Sequence, residues 1–232
     1  MEKHLAVDFH NIHVNDFNKK YTTNLDFKQR YITWTKLLDA FIVPKMQILD
    51  LGCGSGIFSF YIANKNCHVT GIDGAEAMID FCRKTATSNS IMNVQFIQGF
   101  IPEDLSPKLG LFDVIICSSV LEYIEEKETT LSSLNAFLKK GGILVISVPN
   151  RLSIHRRIEK ILFNLVGKPE YYQHVQNTFS EKEFTQELLR HGFKLKALEY
   201  YANQGKISKL IKYMLPTIYT SNLMVGVFEK LE

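Results

Sequence analysis

The string Ile48-Leu49-Asp50-Leu51-Gly52-Cys53-Gly54-Ser55-Gly56 constrains this chain more than any other. An apolar run ends near an acid, three glycines alternate, and an amphipathic pattern begins at Ile57. This is the pattern of a strand turning sharply into a helix. Glycines there let the backbone turn tightly and lie close against a ligand. A plain turn does not need three of them. Asp50, at the strand end, is placed to accept hydrogen bonds from a ligand amine. The next apolar run ends in Gly71-Ile72-Asp73, with Asp73 21 residues after Gly52. An acid at that separation grips ribose hydroxyls. Asp73 also stands where it caps the helix that follows, and the two roles are compatible.

Around this string, short apolar runs alternate with longer periodic ones. Strands are expected over 47–51, 67–72, 94–97, 112–117 and 142–148, and helices over 57–64, 75–85 and 127–138. The crossovers are long enough for parallel pairing. The strands are continuous apolar runs, as a sheet covered on both faces requires. The expected fold is α/β: a doubly wound, Rossmann-like sheet that binds its ligand at the carboxyl ends of its strands. Gly141 and Gly142 read as the end of one helix and the start of a strand.

One domain is expected for 232 residues. Residues 1–44 form an N-terminal cap, helical over 27–41 and polar before that. Residues 45–150 are the cofactor-binding core. Residues 151–192 are a helical lid in two pieces, broken at Gly167-Lys168-Pro169, with the last helix. Residues 193–232 hold two final strands, 193–200 and 223–229, separated by a basic helix-like stretch at 206–215. A closing pair with a short connection is antiparallel, so the last strand is expected to run against the others.

Composition narrows the function classes. With 46% hydrophobic and 22% charged residues, the chain is a folded globule and not a disordered one. No stretch approaches the roughly 18 apolar residues of a membrane span, and the first ten residues hold no apolar signal core. A cytoplasmic protein is expected. Cys53, Cys67, Cys82 and Cys117 form no C-x-x-C pair and no zinc-like spacing, so reduced core thiols are expected. The net charge of +3 is too balanced to suggest a nucleic-acid partner. The charge is unevenly placed: residues 1–150 carry 14 basic and 16 acidic groups, and residues 151–232 carry 13 and 8. A basic lid and tail fit an acidic, quinone-like or membrane-proximal acceptor better than nucleic acid.

The glycine string is not a dinucleotide fingerprint, because Ile57 stands where that pattern needs a small third residue. No Gly-Lys-Ser/Thr of a phosphate loop follows either. Instead, Asp-x-Gly-x-Gly-x-Gly resembles motif I of class I S-adenosylmethionine (SAM) dependent methyltransferases. The resemblance extends through Asp73, Phe112-Asp113-Val114-Ile115-Ile116-Cys117, Leu121-Glu122-Tyr123-Ile124 and Leu138-Lys139-Lys140-Gly141-Gly142. It covers roughly residues 37–150, with the two tail strands fitting the family's ending. It implies SAM as cofactor, held by Asp50, Gly52, Gly54, Gly56 and Asp73, with a seven-stranded sheet. Many family members carry an acid after the third core strand. Here the string is Ile97-Gln98-Gly99-Phe100, so Phe100 either packs on the adenine or leaves its amine to a backbone carbonyl.

The flanks are similar to the ubiquinone-biosynthesis O-methyltransferases. Ser147-Val148-Pro149-Asn150-Arg151 resembles their Ser-x-x-Asn-Arg, and His174 in the inserted segment matches their lid histidine. The resemblance also places Arg30 and Ser118 on SAM. An Arg suits the methionine carboxylate, which it binds bidentately. Tyr21 and Phe17 either cap the cofactor or anchor the core. The implied activity is methyl transfer to a small-molecule acceptor, most naturally a hydroxyl oxygen. N- or C-methylation, or a SAM-binding regulator without catalysis, are the alternatives.

An oxygen acceptor must lose a proton, and His174, Glu122 and Tyr123, with His155, are the candidate groups. Glu122 equally caps the helix after it, and His174 is equally a surface group. Glu122, Glu125 and Glu126 read as a solvated helix face, so no metal is expected. The segment 152–166 interleaves Arg156, Arg157 and Lys160 with aliphatic residues. Such a helix either lies on an anionic membrane surface or packs as a lid with its basic side outward.

Overall fold

The computed structural model describes residues 14–204 and 213–231, apart from the side chains of 14–18 and Glu170. Residues 206–212 of the basic tail stretch and the Phe17 side chain lie outside that set. Helices α1 (Val14–Thr23) and α2 (Leu25–Phe41) precede the sheet. Then come β1 (Gln47–Leu51), α3 (Ile57–Ala63), β2 (His68–Asp73), α4 (Glu76–Ser88), β3 (Val94–Gln98) and β4 (Phe112–Cys117). Next, α5 (Lys127–Phe137) leads into β5 (Leu138–Pro149), the lid helix α6 (Ile154–Val166) and α7 (Glu181–Arg190). Strand β6 (Phe193–Tyr201), a short α8 (Thr217–Thr220) and β7 (Leu223–Lys230) follow.

The seven strands lie in the order β3-β2-β1-β4-β5-β7-β6. Strands β1 to β5 pair in parallel, and β7 runs antiparallel to both its neighbours. The expected doubly wound sheet with its reversed last strand is therefore present. Strand residues alternate between two buried layers, because side chains in a strand point to opposite faces in turn. Ile48, Val114, Ile116 and Val145 meet Trp34 of α2 and Phe58 of α3 on one face. Leu49, Ile115, Leu144 and Ile146 meet Leu131 of α5 and Phe184 of α7 on the other. Each such side chain contributes roughly 1.5–3 kcal/mol on burial.

Local sequence sets the ends of these elements. The Asn24 carboxamide oxygen accepts from the Asp26 and Phe27 amides at 2.8 and 3.2 Å, which starts α2. Trp34, fully buried, stacks 5.1 Å from Phe58 and donates to the Tyr201 hydroxyl at 3.4 Å. Thus α2 is fastened to both the sheet and β6. Ser180 and Glu183 form a reciprocal capping box at the start of α7.

Two expectations change. The stretch before α2 is not merely polar, since α1 forms there. Gly141 and Gly142 do not end a helix. Strand β5 starts at Leu138, Gly141 takes φ +68°, and a Cβ on Gly142 would lie 2.9 Å from the Lys139 carbonyl oxygen. The β4–β5 register shifts between Phe112 and Val114, so the two glycines form a bulge inside the strand. All four cysteines are free and buried. No described helix is long and apolar enough to cross a membrane.

Asn150 fixes the lid to the sheet. It is fully buried, and its amide donates to the carbonyls of Ile218 and Ser221 at 2.6 and 2.8 Å. Its oxygen accepts from the Leu152 amide at 3.0 Å. Asn150→Ala strands two buried carbonyls, so the urea midpoint should fall by the equivalent of about 2–4 kcal/mol with an unchanged m-value.

Candidate functional site

The carboxyl ends of β1, β2 and β4 open onto one edge of the sheet. All three motif glycines there take positive φ: +65° at Gly52, +52° at Gly54 and +73° at Gly56. A Cβ on Gly52 would lie 2.1 Å from Val120 Cγ2, so both conformation and space demand glycine. The Asp73 carboxylate sets the loop's shape. One oxygen accepts from the Gly54 amide at 2.8 Å and the other from the Ala75 amide at 2.9 Å. Asp73 therefore joins the glycine loop to the start of α4, where Ala75 is the N-cap and offers no side-chain bond. Burial raises the Asp73 pKa, and the two amides pull it back.

Two carboxyl groups are buried around this loop, and Arg30 beside them is half-buried. Asp50 is 2% exposed and accepts from the Ser59 hydroxyl at 2.5 Å. Burial pushes its pKa up to about 7, with Ser59 working against the shift. Glu122 is 3% exposed, and burial likewise pushes it up to about 7, with Arg156 and Arg30 opposing. Arg30 reaches from α2 to the Ser118 carbonyl and hydroxyl at 2.9 and 2.6 Å, with its guanidinium 5.9 Å from the Phe58 ring centre. Burial works to lower its pKa, but Tyr21, Tyr201 and Glu122 outweigh that and raise it.

The same region holds unsatisfied polar atoms. Arg30 Nε, Ser55 Oγ and Glu122 Oε2 are buried and make no hydrogen bond. Buried polar groups are nearly always paired, so orphans need an explanation. A polar ligand at this edge of the sheet would pair all three.

Glu122 sits in a 3-10 turn (Leu121–Tyr123) and does not cap α5, whose N-cap is Glu126. The extended segment that returns from the lid clamps that turn. The Glu122 carbonyl accepts from the Gln176 and Asn177 amides at 2.7 and 3.2 Å. The Asn177 side chain donates to the Leu121 and Ile124 carbonyls at 2.9 and 2.6 Å. Tyr123 is largely enclosed, and burial raises its pKa beyond the usual phenol range. His174 ends a second 3-10 turn (Glu170–His174), two residues before Gln176. Its Nε2 lies 3.1 Å from Gln173 Nε2, and it pairs with no carboxylate among the described residues. His155 Nδ1 lies 3.4 Å from Glu159 and, like Glu187 Oε1, is a buried polar atom that makes no hydrogen bond. Tyr21 packs edge-on against Phe27 and Phe58 at 5.0 and 6.4 Å, and the Coulomb fields of both Arg30 and Asp50 reach its hydroxyl.

Past the end of β3, an acid from further along the chain returns to the Phe100 backbone. Asp104 turns back so that one of its oxygens accepts from the Phe100 amide at 2.8 Å, beside Gly99. Sequence reasoning had no signal for this, because the return depends on the turn through Ile101 and Pro102. It also missed Ser55, although that residue stands inside the glycine string. It named Arg156 only as part of a basic helix. In the structure Arg156 donates to Glu159 and to the Tyr171 hydroxyl at 3.1 and 2.9 Å. Tyr171 in turn donates to Glu159 at 2.6 Å. A Glu three residues after the Arg was the available cue.

Glu122, Glu125 and Glu126 do not gather as metal ligands. Glu128, Glu187 and His191 do approach one another, but Lys127 and Arg190 each lie 3.0 Å from Glu187 and already balance its charge. A cavity of about 300 Å³ opens beside the lid, between α6 and the returning segment at Val175 and Thr178, with Arg156, Arg157 and Lys160 in its wall.

Asp50 and Glu122 give the fold a pH dependence. Both hold protons in the folded state that the unfolded chain releases near its ordinary carboxylate values. Stability should therefore fall as pH rises from about 4 to about 7. Carboxyls with lowered pKa, such as Glu183, titrate below that window and do not mask it. Calorimetric melting of the ligand-free protein should give a lower Tm at pH 8 than at pH 5. Asp50→Asn and Glu122→Gln should each flatten the fall.

Known proteins resemble this chain in sequence and in fold. The family described as methyltransferase domain matches residues 42–211. A ubiquinone biosynthesis O-methyltransferase of Rickettsia canadensis is 34% identical over 110 residues, covering 47% of this chain and 45% of that protein. The chain thus spans about half the length of the curated relatives it matches. Among solved structures, the N-methyltransferase NodS of Bradyrhizobium japonicum with S-adenosylhomocysteine superposes with a TM-score of 0.71 at 17% identity, over 100% of both chains. Magnesium protoporphyrin IX methyltransferase of Synechocystis with bound SAM gives 0.70 at 16% identity, over 99% of this chain and 97% of that one.

Proposed function

The chain belongs to the methyltransferase domain family, and we propose that it carries a methyl group from SAM to a hydroxyl oxygen of a small-molecule acceptor. SAM is the methyl donor this family uses. The observation that carries the reading is a trio of buried unpaired atoms, Arg30 Nε, Ser55 Oγ and Glu122 Oε2, on residues at or bonded to the carboxyl edge of the sheet. They fit the donor's polar groups. Arg30 and Ser55 suit its carboxylate, and Asp50 suits its ammonium. Asp73, at the end of β2, suits the ribose. Asp104 supplies an acceptor for the adenine amine beside the Phe100 ring. The glycines leave the loop backbone open to close approach.

When bound, SAM supplies an electrophilic methyl on a sulfonium centre. The chain must align the acceptor and exclude water, and alignment of this kind accounts for roughly 7–11 kcal/mol of a barrier. Removal of the acceptor's proton falls to Glu122. Its carboxylate is buried, has an unpaired oxygen and titrates near neutrality, which suits a general base. This favours oxygen over nitrogen as acceptor, since a neutral amine needs no base before transfer. Tyr123, kept protonated by burial, orients the acceptor by donating a hydrogen bond. His174, on the lid segment that crosses the Glu122 turn, has the weaker claim to the proton.

The test is S-adenosylhomocysteine release from SAM with a panel of aromatic hydroxy compounds. The wild-type kcat/KM should rise as pH climbs through about 7, as Glu122 loses its proton. Glu122→Gln should lower kcat by about 10²- to 10⁴-fold and abolish that limb. His174→Ala should leave the limb in place, and Asp73→Ala should weaken SAM binding. If Glu122→Gln keeps both rate and limb, Glu122 is not the base. Release that is confined to amine acceptors overturns O-methylation.

A further inference from the structure

Lid helix α6 carries a concentration of positive charge that the methyl-transfer site does not use. Arg151, at the end of β5, and Arg156, Arg157 and Lys160 of α6 converge on the 300 Å³ cavity, with Tyr172 and Thr178 on its far wall. Among the described residues, no acidic side chain lines it. Two of the four cations are already balanced. Arg151 pairs with Glu183, and Arg156 pairs with Glu159 at 3.1 Å. Arg157 and Lys160, both exposed, have no acidic partner among the described residues. They stand three positions apart on one helix, so their heads fall on neighbouring turns. Among the described residues, two of the cavity's positive charges have no acidic partner, and the Tyr172 and Thr178 hydroxyls line it with them.

The cavity shares the sheet edge with the glycine loop. Pro149, in its wall, lies three residues past Ile146. Ile146 pairs with Cys117, next to the Ser118 that Arg30 binds. On the other side, Val175 lines the cavity and Gln176 holds the Glu122 carbonyl. Arg156, in the cavity wall, also bears electrostatically on the Glu122 carboxyl, so the cavity adjoins the Glu122 turn.

We propose that this cavity binds a phosphate group carried by the methyl acceptor, with Arg157 and Lys160 as the residues that recognise it. Resting on the methyltransferase reading above, it makes the acceptor a phosphorylated small molecule. A phosphate monoester carries about −1.5 to −2 charge at neutral pH, which matches the two free cations. Its oxygens accept from a guanidinium in a bidentate manner and from an ammonium singly. The volume lies at the lower end of the roughly 300–1,000 Å³ of small-molecule pockets, enough for a head group with the reactive ring directed toward Glu122.

Titration calorimetry of the whole chain tests this with phenyl phosphate as probe, phenol as the neutral control, and S-adenosylhomocysteine in the same series. Phenyl phosphate should bind saturably and phenol should not. The double substitution Arg157→Gln, Lys160→Gln, on exposed positions, should weaken phenyl phosphate at least tenfold and change S-adenosylhomocysteine affinity less than twofold. Arg190→Gln, on α7, should change neither. Equal binding of phenyl phosphate by wild type and double variant overturns the proposal, as does equal binding of phenol. Sedimentation with phosphatidylglycerol vesicles is the second arm. Vesicle binding that needs Arg157 and Lys160, with no phenyl phosphate binding, assigns the cations to a lipid surface and overturns the proposal. S-adenosylhomocysteine binding without phenyl phosphate binding refutes the pocket and leaves methyl transfer standing. The converse keeps the pocket and refutes the cofactor reading.

Discussion

Arg30 reaches from α2 across to the Ser118 carbonyl and hydroxyl, and this contact brings the N-terminal cap over the carboxyl edge of the sheet. Its cost is a guanidinium taken out of water, one nitrogen of which finds no partner in the protein. Asp50 and Glu122 are buried in the same neighbourhood and lean toward their neutral forms. The site therefore holds polar groups that the fold itself does not satisfy. Unsatisfied groups of this kind are expensive, and a ligand that pairs them recovers the expense as affinity.

The sheet makes that arrangement possible. Two apolar layers, one under α2 and α3 and the other under α5 and α7, hold β1 and β4 side by side. Asp73 then ties the glycine loop to α4 through two amides. On the acceptor side, the lid is anchored twice. Asn150 joins its start to the segment before β7, and Asn177 joins its return to the Glu122 turn. Ser147 adds a bond from the Ser119 amide at 2.9 Å. The Ser-x-x-Asn-Arg string thus works largely through backbone carbonyls and amides, positioning the lid relative to Glu122.

The parallel core was legible because its strands are continuous apolar runs and its turns carry glycine. The positions of Asp50, Asp73 and the three glycines were legible for the same reason: they follow from strand ends and backbone conformation, which are local. Arg30 and Ser118 needed a family resemblance, since 88 residues separate them and no periodicity links them. The bulge at Gly141 and Gly142 was misread as a helix end because a glycine pair fits both. Asp104 and the Arg156–Glu159–Tyr171 network were not legible. They depend on how a loop and a lid fold back, and charge pattern alone does not report which cations stay unpaired. The choice of Glu122 over His174 rests on burial, which one sequence does not reveal.

A structure with S-adenosylhomocysteine bound tests the central claim most directly. Ligand polar atoms should lie about 3 Å from Arg30 Nε and Ser55 Oγ, with the ammonium at Asp50 and the ribose at Asp73. If the ligand sits elsewhere, or leaves Arg30 Nε and Ser55 Oγ unpaired, the buried orphans have another cause and the account is contradicted.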